Sequence, residues 1–436
     1  MLKKYFLFFM MILLIASGCT GVPNDSASNG EEASNEDQTV IKYWSNWNEG
    51  EPQQQVMNQI ITDYEKENPN VDIEVEWLGR DLMSKVRNAV LSEDGPDIID
   101  KNPPEIKGAI GDQTESLENV LSKDIPNEEA KVGDVFLDGT LDLFKDDDKL
   151  FFIPYQLISS GFFYNKTLLE AELGLKAPET WDEFIEISKQ IKNSGLAPLA
   201  QDGSIGFYNA YYYYWLSTRI NGAGALNEAA SDETGEVWDD PGFLEAATKV
   251  EELVSNDFFI DGYEGSQFPA AQTRWAQGDA ALILNGTWIP QETGSYASND
   301  FEYEVFPFPK VEGAEGDNNS AEVELIGWAA PSGSNVEVVS DFIAFGMQKK
   351  YHEQIVAEMN NISTRKDVEG PENLQTMQKY VEEADSVHVL YDNLRGDYPE
   401  WWNNVFLPIN DKLVFGEISA VEFIEEMKEE TIKYWN

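Results

Sequence analysis

The chain has 436 residues, with 80 Asp and Glu against 30 Lys and Arg, a formal net charge of −50. So acidic a surface repels phosphate backbones and anionic head groups, which excludes a nucleic-acid binder and a polybasic attachment to a membrane. Disorder is excluded as well: 42% of residues are hydrophobic and 12% aromatic, enough for two domains or one large α/β unit. The excess acid fits a soluble protein kept apart by self-repulsion, or a high-salt or alkaline habitat.

Lys3 and Lys4 precede an apolar run over 5–16. It is too short to span a membrane as a helix but suits the core of a signal peptide. Ala16, Ser17 and Gly18 follow, then Cys19, the only cysteine, which excludes an intrachain disulfide. Ile15-Ala16-Ser17-Gly18-Cys19 resembles a bacterial lipobox, with Ala16 where Leu is commoner. That resemblance implies a signal peptide over 1–18 and a lipid such as palmitate on Cys19. The alternative is an incidental thiol in a discarded leader. Residues 19–38, rich in Ser, Asn, Glu and Asp, read as a flexible tether. Without the two leader lysines, 28 bases face 80 acids, a net of −52. The expected address is the outer face of the cytoplasmic membrane, in a cell of Gram-positive type.

Residues 40–44 read as a strand. Residues 53–66 read as a helix, with Val56, Ile60, Ile61 and Tyr64 on one face and Pro69 beyond its end. Residues 71–77 alternate apolar and polar at period two, a half-buried strand. A helix over 81–92 and a short buried strand at 98–99 follow. This strand–helix alternation predicts parallel pairing with right-handed crossovers, hence a layered α/β domain. Strands are expected at 150–154 and 161–164. Thr180 and Glu183 form a capping box for a helix over 181–194, closed by Gly195. Further helices are predicted at 242–256, 269–277, 335–347 and 417–434, and strands at 280–284 and 302–308.

Several segments in this order resemble the extracellular solute-binding proteins of ABC importers, the group that includes maltose-binding protein. They are Tyr43-Trp44-Ser45-Asn46-Trp47, Gly95-Pro96-Asp97-Ile98, Ile153-Pro154-Tyr155, Phe163-Tyr164-Asn165-Lys166, Asn285-Gly286-Thr287-Trp288 and Pro307-Phe308-Pro309. The resemblance runs from about residue 40 to the C-terminus. It implies an α/β, periplasmic-binding-protein-like fold: two lobes joined by a hinge that the chain crosses several times, with the ligand between them. Crossings are expected near 156–160, 306–309 and 348–352. Lobe one would be 39–156 with 308–348, and lobe two 157–307 with 349–436. A carbohydrate ligand, membrane permease subunits, a cytoplasmic ATPase and a monomeric state are implied with it, and neither a cofactor nor a metal is.

Sugars present apolar C–H faces and a rim of hydroxyls, so their sites combine flat rings with polar side chains that pair the hydroxyls. Trp44, Asn46 and Trp47 follow the first strand, where ligands of open α/β sheets sit. Asp100 and Lys101 follow the short buried strand. Tyr155 adjoins the expected hinge. Trp215 ends the run 208–215, which holds five Tyr, and one face of that helix is expected in the core. Trp288 stands at the family's stacking position, beside Gly286. Trp328, Trp401, Trp402 and Asn403 complete the candidates, with core packing the competing reading for Trp44, Trp288, Trp328 and one of Trp401 and Trp402, and hinge packing that for Tyr155. Neither His352 nor His388 is expected in a site; both read as surface residues. The triad at 146–148 reads as a solvated turn rather than a calcium loop.

A glycoside hydrolase also uses rings and carboxylates, but 80 acids make any carboxylate pair uninformative. No nucleophile elbow, H-E-x-x-H or P-loop pattern is present. An adhesin would need a repeat or an exposed apolar patch, and the sequence displays neither. The expected function is therefore binding rather than catalysis: sugar capture for import, with a hydrolase or a non-sugar solute as the alternatives.

Overall fold

A computed structural model describes residues 38–90, 95–146 and 149–436. The expected signal peptide, Cys19, the expected tether before residue 38, and residues 147–148 of the acidic triad lie outside the described residues. Strands β1 (Thr39–Ser45), β2 (Val71–Trp77) and β3 (Ile98–Lys101) pair in parallel, with β1 in the middle. The helix Pro52–Glu67 links the first two. It starts on Pro52, whose fixed φ suits the first turn, and buries Val56, Met57, Ile60, Ile61 and Tyr64. Parallel pairing follows the strand–helix alternation of the sequence.

β4 (Phe152–Ile158) and β5 (Ser160–Asn165) are separated only by Ser159, yet they lie in different sheets. β5 pairs with β7 (Ala280–Gly286), which also pairs with β6 (Ala197–Ala200). β8 (Tyr303–Phe306) forms the far edge of this four-stranded sheet. β4 instead joins β9 (Ser320–Ala329), β10 (Ile362–Ser363) and the first three strands in the larger sheet. β11 (Ser386–Val389) runs parallel to the start of β9. β9 therefore pairs with β11 at one end, and with β4 and β3 at the other. The Ser159 hydroxyl donates to the Glu322 carbonyl at 2.8 Å, tying the two connecting strands together at the step between sheets.

The chain steps from the larger sheet to the smaller one at Ser159. Phe308 is buried in the smaller-sheet core, where it stacks on Trp181 and Trp215, so 306–309 is interior to that layer. β9 follows within the larger sheet, and its Ser-Ala-Glu-Val-Glu-Leu-Ile-Gly-Trp-Ala run is buried on both faces and lacks clean alternation. Tyr351 packs on Phe345 and donates to Asp63 at 2.9 Å, which places 348–352 against the larger sheet's helices. The chain leaves that layer only after β10, which pairs with β4.

The helix Gly206–Asn221 is buried all round from Tyr208 to Arg219. Its rings therefore pack on every side, where one core face was expected. The two histidines are also interior, against expectation. His352 Nδ1 lies 2.8 Å from Ser363 Oγ, and His388 bridges the Tyr214 hydroxyl and Ser320 Oγ. Burial pushes their pKa down to about 3 and about 4, so both stay neutral.

Candidate ligand-binding site

Period-two alternation along the connecting strands sets the floor of a cavity. Gln156 pairs opposite Ile326, and Ile158 opposite Glu324, so these four side chains share one face. All four border a cavity of about 550 Å³, within the range of small-molecule sites. Tyr155 and Leu157 point the other way, into the core.

One wall grows from the C-terminal ends of β1 and β3. The Asp100 carboxylate is buried and accepts four hydrogen bonds: from the Tyr43, Ser45 and Tyr155 hydroxyls, and from the Asn46 backbone N–H at 2.7 Å. Burial pushes its pKa up against the pull of those donors. Trp47 Nε1 donates to the Tyr155 hydroxyl at 2.9 Å, so the Asp100–Tyr155 pair fixes the turn that presents Asn46 and Trp47 to the cavity. Lys101 Nζ donates to Asn46 Oδ1 at 2.8 Å and pairs with Glu105 at 3.2 Å. Asn102 caps the helix Pro103–Ile110, accepting from the Glu105 N–H. Its amide donates to both Glu105 and Glu324. Arg395 completes the network with one nitrogen on Glu324 and one on Glu105, each at 3.1 Å. Burial works to raise the Glu105 pKa, but the Lys101 and Arg395 charges outweigh it and hold the carboxyl below its usual range.

The opposite wall is aromatic. Phe207 and Trp288 stack with centroids 6.5 Å apart, and the Arg395 guanidinium lies 5.3 Å from the Phe207 ring centre. Trp288 packs against both apolar clusters of the molecule. A Cβ on Gly286 would come within 2.2 Å of the Trp288 ring, so only glycine lets the indole fold back over β7. Gln291 and Glu292 continue this wall, and Glu292 accepts from Gln272.

Of the candidates from sequence, Asn46, Trp47, Lys101 and Trp288 meet around this cavity. Asp100 and Tyr155 stand one layer behind it. Trp44 is half-buried against the core and borders no part of it. Trp215 is core, with Nε1 on Ser160 Oγ and its ring between Phe308 and Arg219. Trp328 is fully buried between Tyr155 and Phe342. Trp401 and Trp402 are both interior, because the wide π turn Trp402–Phe406 keeps adjacent rings inward. Trp401 donates to Thr431, and Trp402 packs on Tyr391 and Phe406. Asn403 is exposed and turns its amide back to the Pro399 carbonyl.

Sequence reading missed Asn102, Glu105, Gln156, Phe207, Glu324, Asn361 and Arg395, which all border the cavity. The capping pattern Asn102-Pro103-Pro104-Glu105 was a usable signal for the first two. The others converge from distant segments. A larger hollow of about 730 Å³ lies between 195–198 and 257–264, but its Lys192–Asp257 and Arg274–Asp279 pairs already satisfy one another. Among the described residues, no group of three or more potential metal ligands clusters, and no helix is long and apolar enough to cross a membrane.

The model of the bacterial extracellular solute-binding protein family matches residues 48–351. The "multiple sugar-binding protein" of Streptococcus mutans is 27% identical over 65% of this chain and 66% of its own length. The "diacetylchitobiose binding protein" of Streptomyces coelicolor is 27% identical over 52% of this chain and 48% of its own. The chain thus spans under two thirds of either relative. A solved structure of the binding protein RafE in complex with raffinose superposes with a TM-score of 0.68, covering 92% of this chain and all of that one at 19% identity, a likeness of fold. With its two α/β sheets joined by connecting strands under a shared cavity, this chain belongs to the bacterial extracellular solute-binding protein family.

Proposed function

We propose that the chain captures a carbohydrate in the cavity over β4 and β9 and delivers it to an ABC importer's membrane permease, with a cytoplasmic ATPase driving release. One observation carries this reading: the Phe207–Trp288 ring wall faces the polar wall of Asn46, Lys101, Asn102 and Glu105. Flat rings suit sugar C–H faces, and the opposite groups suit hydroxyls. Relatives whose names specify sugars support the same class. A lipid on Cys19, a place on the outer face of the cytoplasmic membrane and a monomeric state belong to this proposal. So does a division into lobes at 158–160, along β9 and after β10, with closure on the ligand.

A hydrolase needs a carboxylic acid that can donate its proton. Glu105 is held ionised and shares Arg395 with Glu324, which favours binding over cleavage. The test is calorimetry with raffinose, diacetylchitobiose and maltotriose, followed by chromatography of the mixtures. Saturable heat with intact sugar is expected. Multiple-turnover cleavage of any of them would sink the proposal.

A further inference from the structure

Gln156 is 2% exposed, yet its side chain makes no hydrogen bond among the described residues, and its Oε1 is a buried acceptor without a partner. Such a group costs stability unless something else pairs it. Its neighbours do not pair it: Ile158 lies two residues along the same face and Ile326 opposite, both apolar, while Glu324 turns its Oε1 to Arg395 and Asn102. On the other flank, Ser363 pairs with Gln156 through the backbone, and its hydroxyl is taken by His352 and the Arg365 N–H. Asn361 Oδ1 is likewise taken, by Thr287 and the Ile362 N–H. The floor of the cavity thus holds one free carboxamide set between two isoleucines.

Resting on the carbohydrate reading above, we infer that Gln156 is the specificity-determining residue of the floor, reading a pair of adjacent hydroxyls on the bound sugar. A carboxamide offers an acceptor and a donor side by side. A vicinal diol offers the matching pair, one hydroxyl donating to the oxygen and its neighbour accepting from the nitrogen. The match survives exchange of the amide's two ends, because each hydroxyl can play either part. Ile158 and Ile326 flank the amide with apolar side chains, while Glu324 and Ser363, the other polar groups of that face, are engaged by Arg395, Asn102 and His352. A sugar lacking either hydroxyl would leave half of the amide buried and unpaired, which is how a polar site discriminates most strongly.

The position also links recognition to the connecting strands. Gln156 stands on β4, two residues before β4 ends and three before the step at Ser159. A sugar held there sits directly on the segment that joins the sheets.

The experiment compares the wild-type protein with Gln156→Met and Gln156→Leu, titrating raffinose, diacetylchitobiose and maltotriose by calorimetry and recording melting without ligand. Methionine keeps the length and removes both hydrogen-bonding atoms. The expected result is unchanged or raised melting for Gln156→Met, because an unpaired buried amide has been removed, with affinity for the best of the three sugars reduced about 10- to 100-fold. Wild-type binding with Gln156→Met affinity within twofold overturns this assignment and leaves the carbohydrate reading standing. Affinity lost together with a large drop in melting for both variants overturns it too, by making the role structural. If the wild type binds none of the three sugars, the carbohydrate reading falls and this one with it.

Discussion

At the scale of single residues, the cavity depends on which rings are free to meet a ligand. Trp288 is half-buried, and Gly286 gives its indole room. Trp288→Ala is expected to weaken sugar binding by about 1–3 kcal/mol, as loss of an aromatic anchor does. Gly286→Ala should weaken it similarly without removing a ring, because the new methyl group would push the indole aside. Titrations of both variants, with melting curves to confirm folding, decide the matter; full affinity in both would remove Trp288 from the site. Asp100→Asn should lower affinity through the turn it anchors rather than by direct contact, since four donors converge on that carboxylate. The sequence made Trp47 and Trp288 legible because glycine, asparagine and short turns surround them. It did not separate Trp215, Trp328, Trp401 and Trp402 from these, since a tryptophan has the same local neighbours whether its ring meets a core or a ligand. Phe207 was hidden in a run of tyrosines whose burial is set by helices elsewhere in the chain.

Among the elements, β9 carries the most consequence and was the least visible. It is buried along nearly its whole length and so lacks the alternation that exposes a strand in sequence, whereas β2 alternates over its full span and was read to the residue. Glu322 on β9 accepts no hydrogen bond at either carboxyl oxygen. Burial pushes its pKa up to about 8, with nearby Ser160 opposing the rise and Glu324 adding to it. The folded chain therefore keeps Glu322 protonated at neutral pH, while the unfolded chain ionises it near the ordinary glutamate value. Its contribution is complete below about pH 4.5, falls by about 1.4 kcal/mol per pH unit above that, and is lost by about pH 8. Glu322→Gln should flatten this part of the stability profile, measured as denaturant midpoints between pH 5 and 9. A variant profile parallel to the wild type would show that Glu322 does not titrate as described. Arg395, on the helix Leu394–Asp397, ties Glu105 to Glu324 on β9. Arg395→Ala would leave two carboxylates without their shared cation, so sugar affinity and melting should both fall, and raised salt should not restore them.

For the whole molecule, the parallel pairing of β1, β2 and β3 follows from strand–helix alternation in the first hundred residues, whereas the antiparallel pairing of β9 with β3 and β4 joins distant segments. His352 and His388 limit stability on the acid side: the unfolded chain protonates them near pH 6.5, whereas burial delays this to about 3 and about 4 in the fold. Their contribution is thus present above pH 6.5 and lost as pH falls through those values. The net charge of −50 bears on the ligand as well. In the cavity, Lys101 and Arg395 are already matched by Glu105 and Glu324, so a neutral solute enters at less electrostatic cost than an anion. The most direct measurement is a crystal structure with the tightest-binding of raffinose, diacetylchitobiose and maltotriose. The account predicts a sugar ring against the Phe207–Trp288 wall, resting on β4 and β9 with hydroxyls on Gln156. A sugar lodged in the hollow beside 195–198, or an empty cavity at saturating sugar, would contradict it.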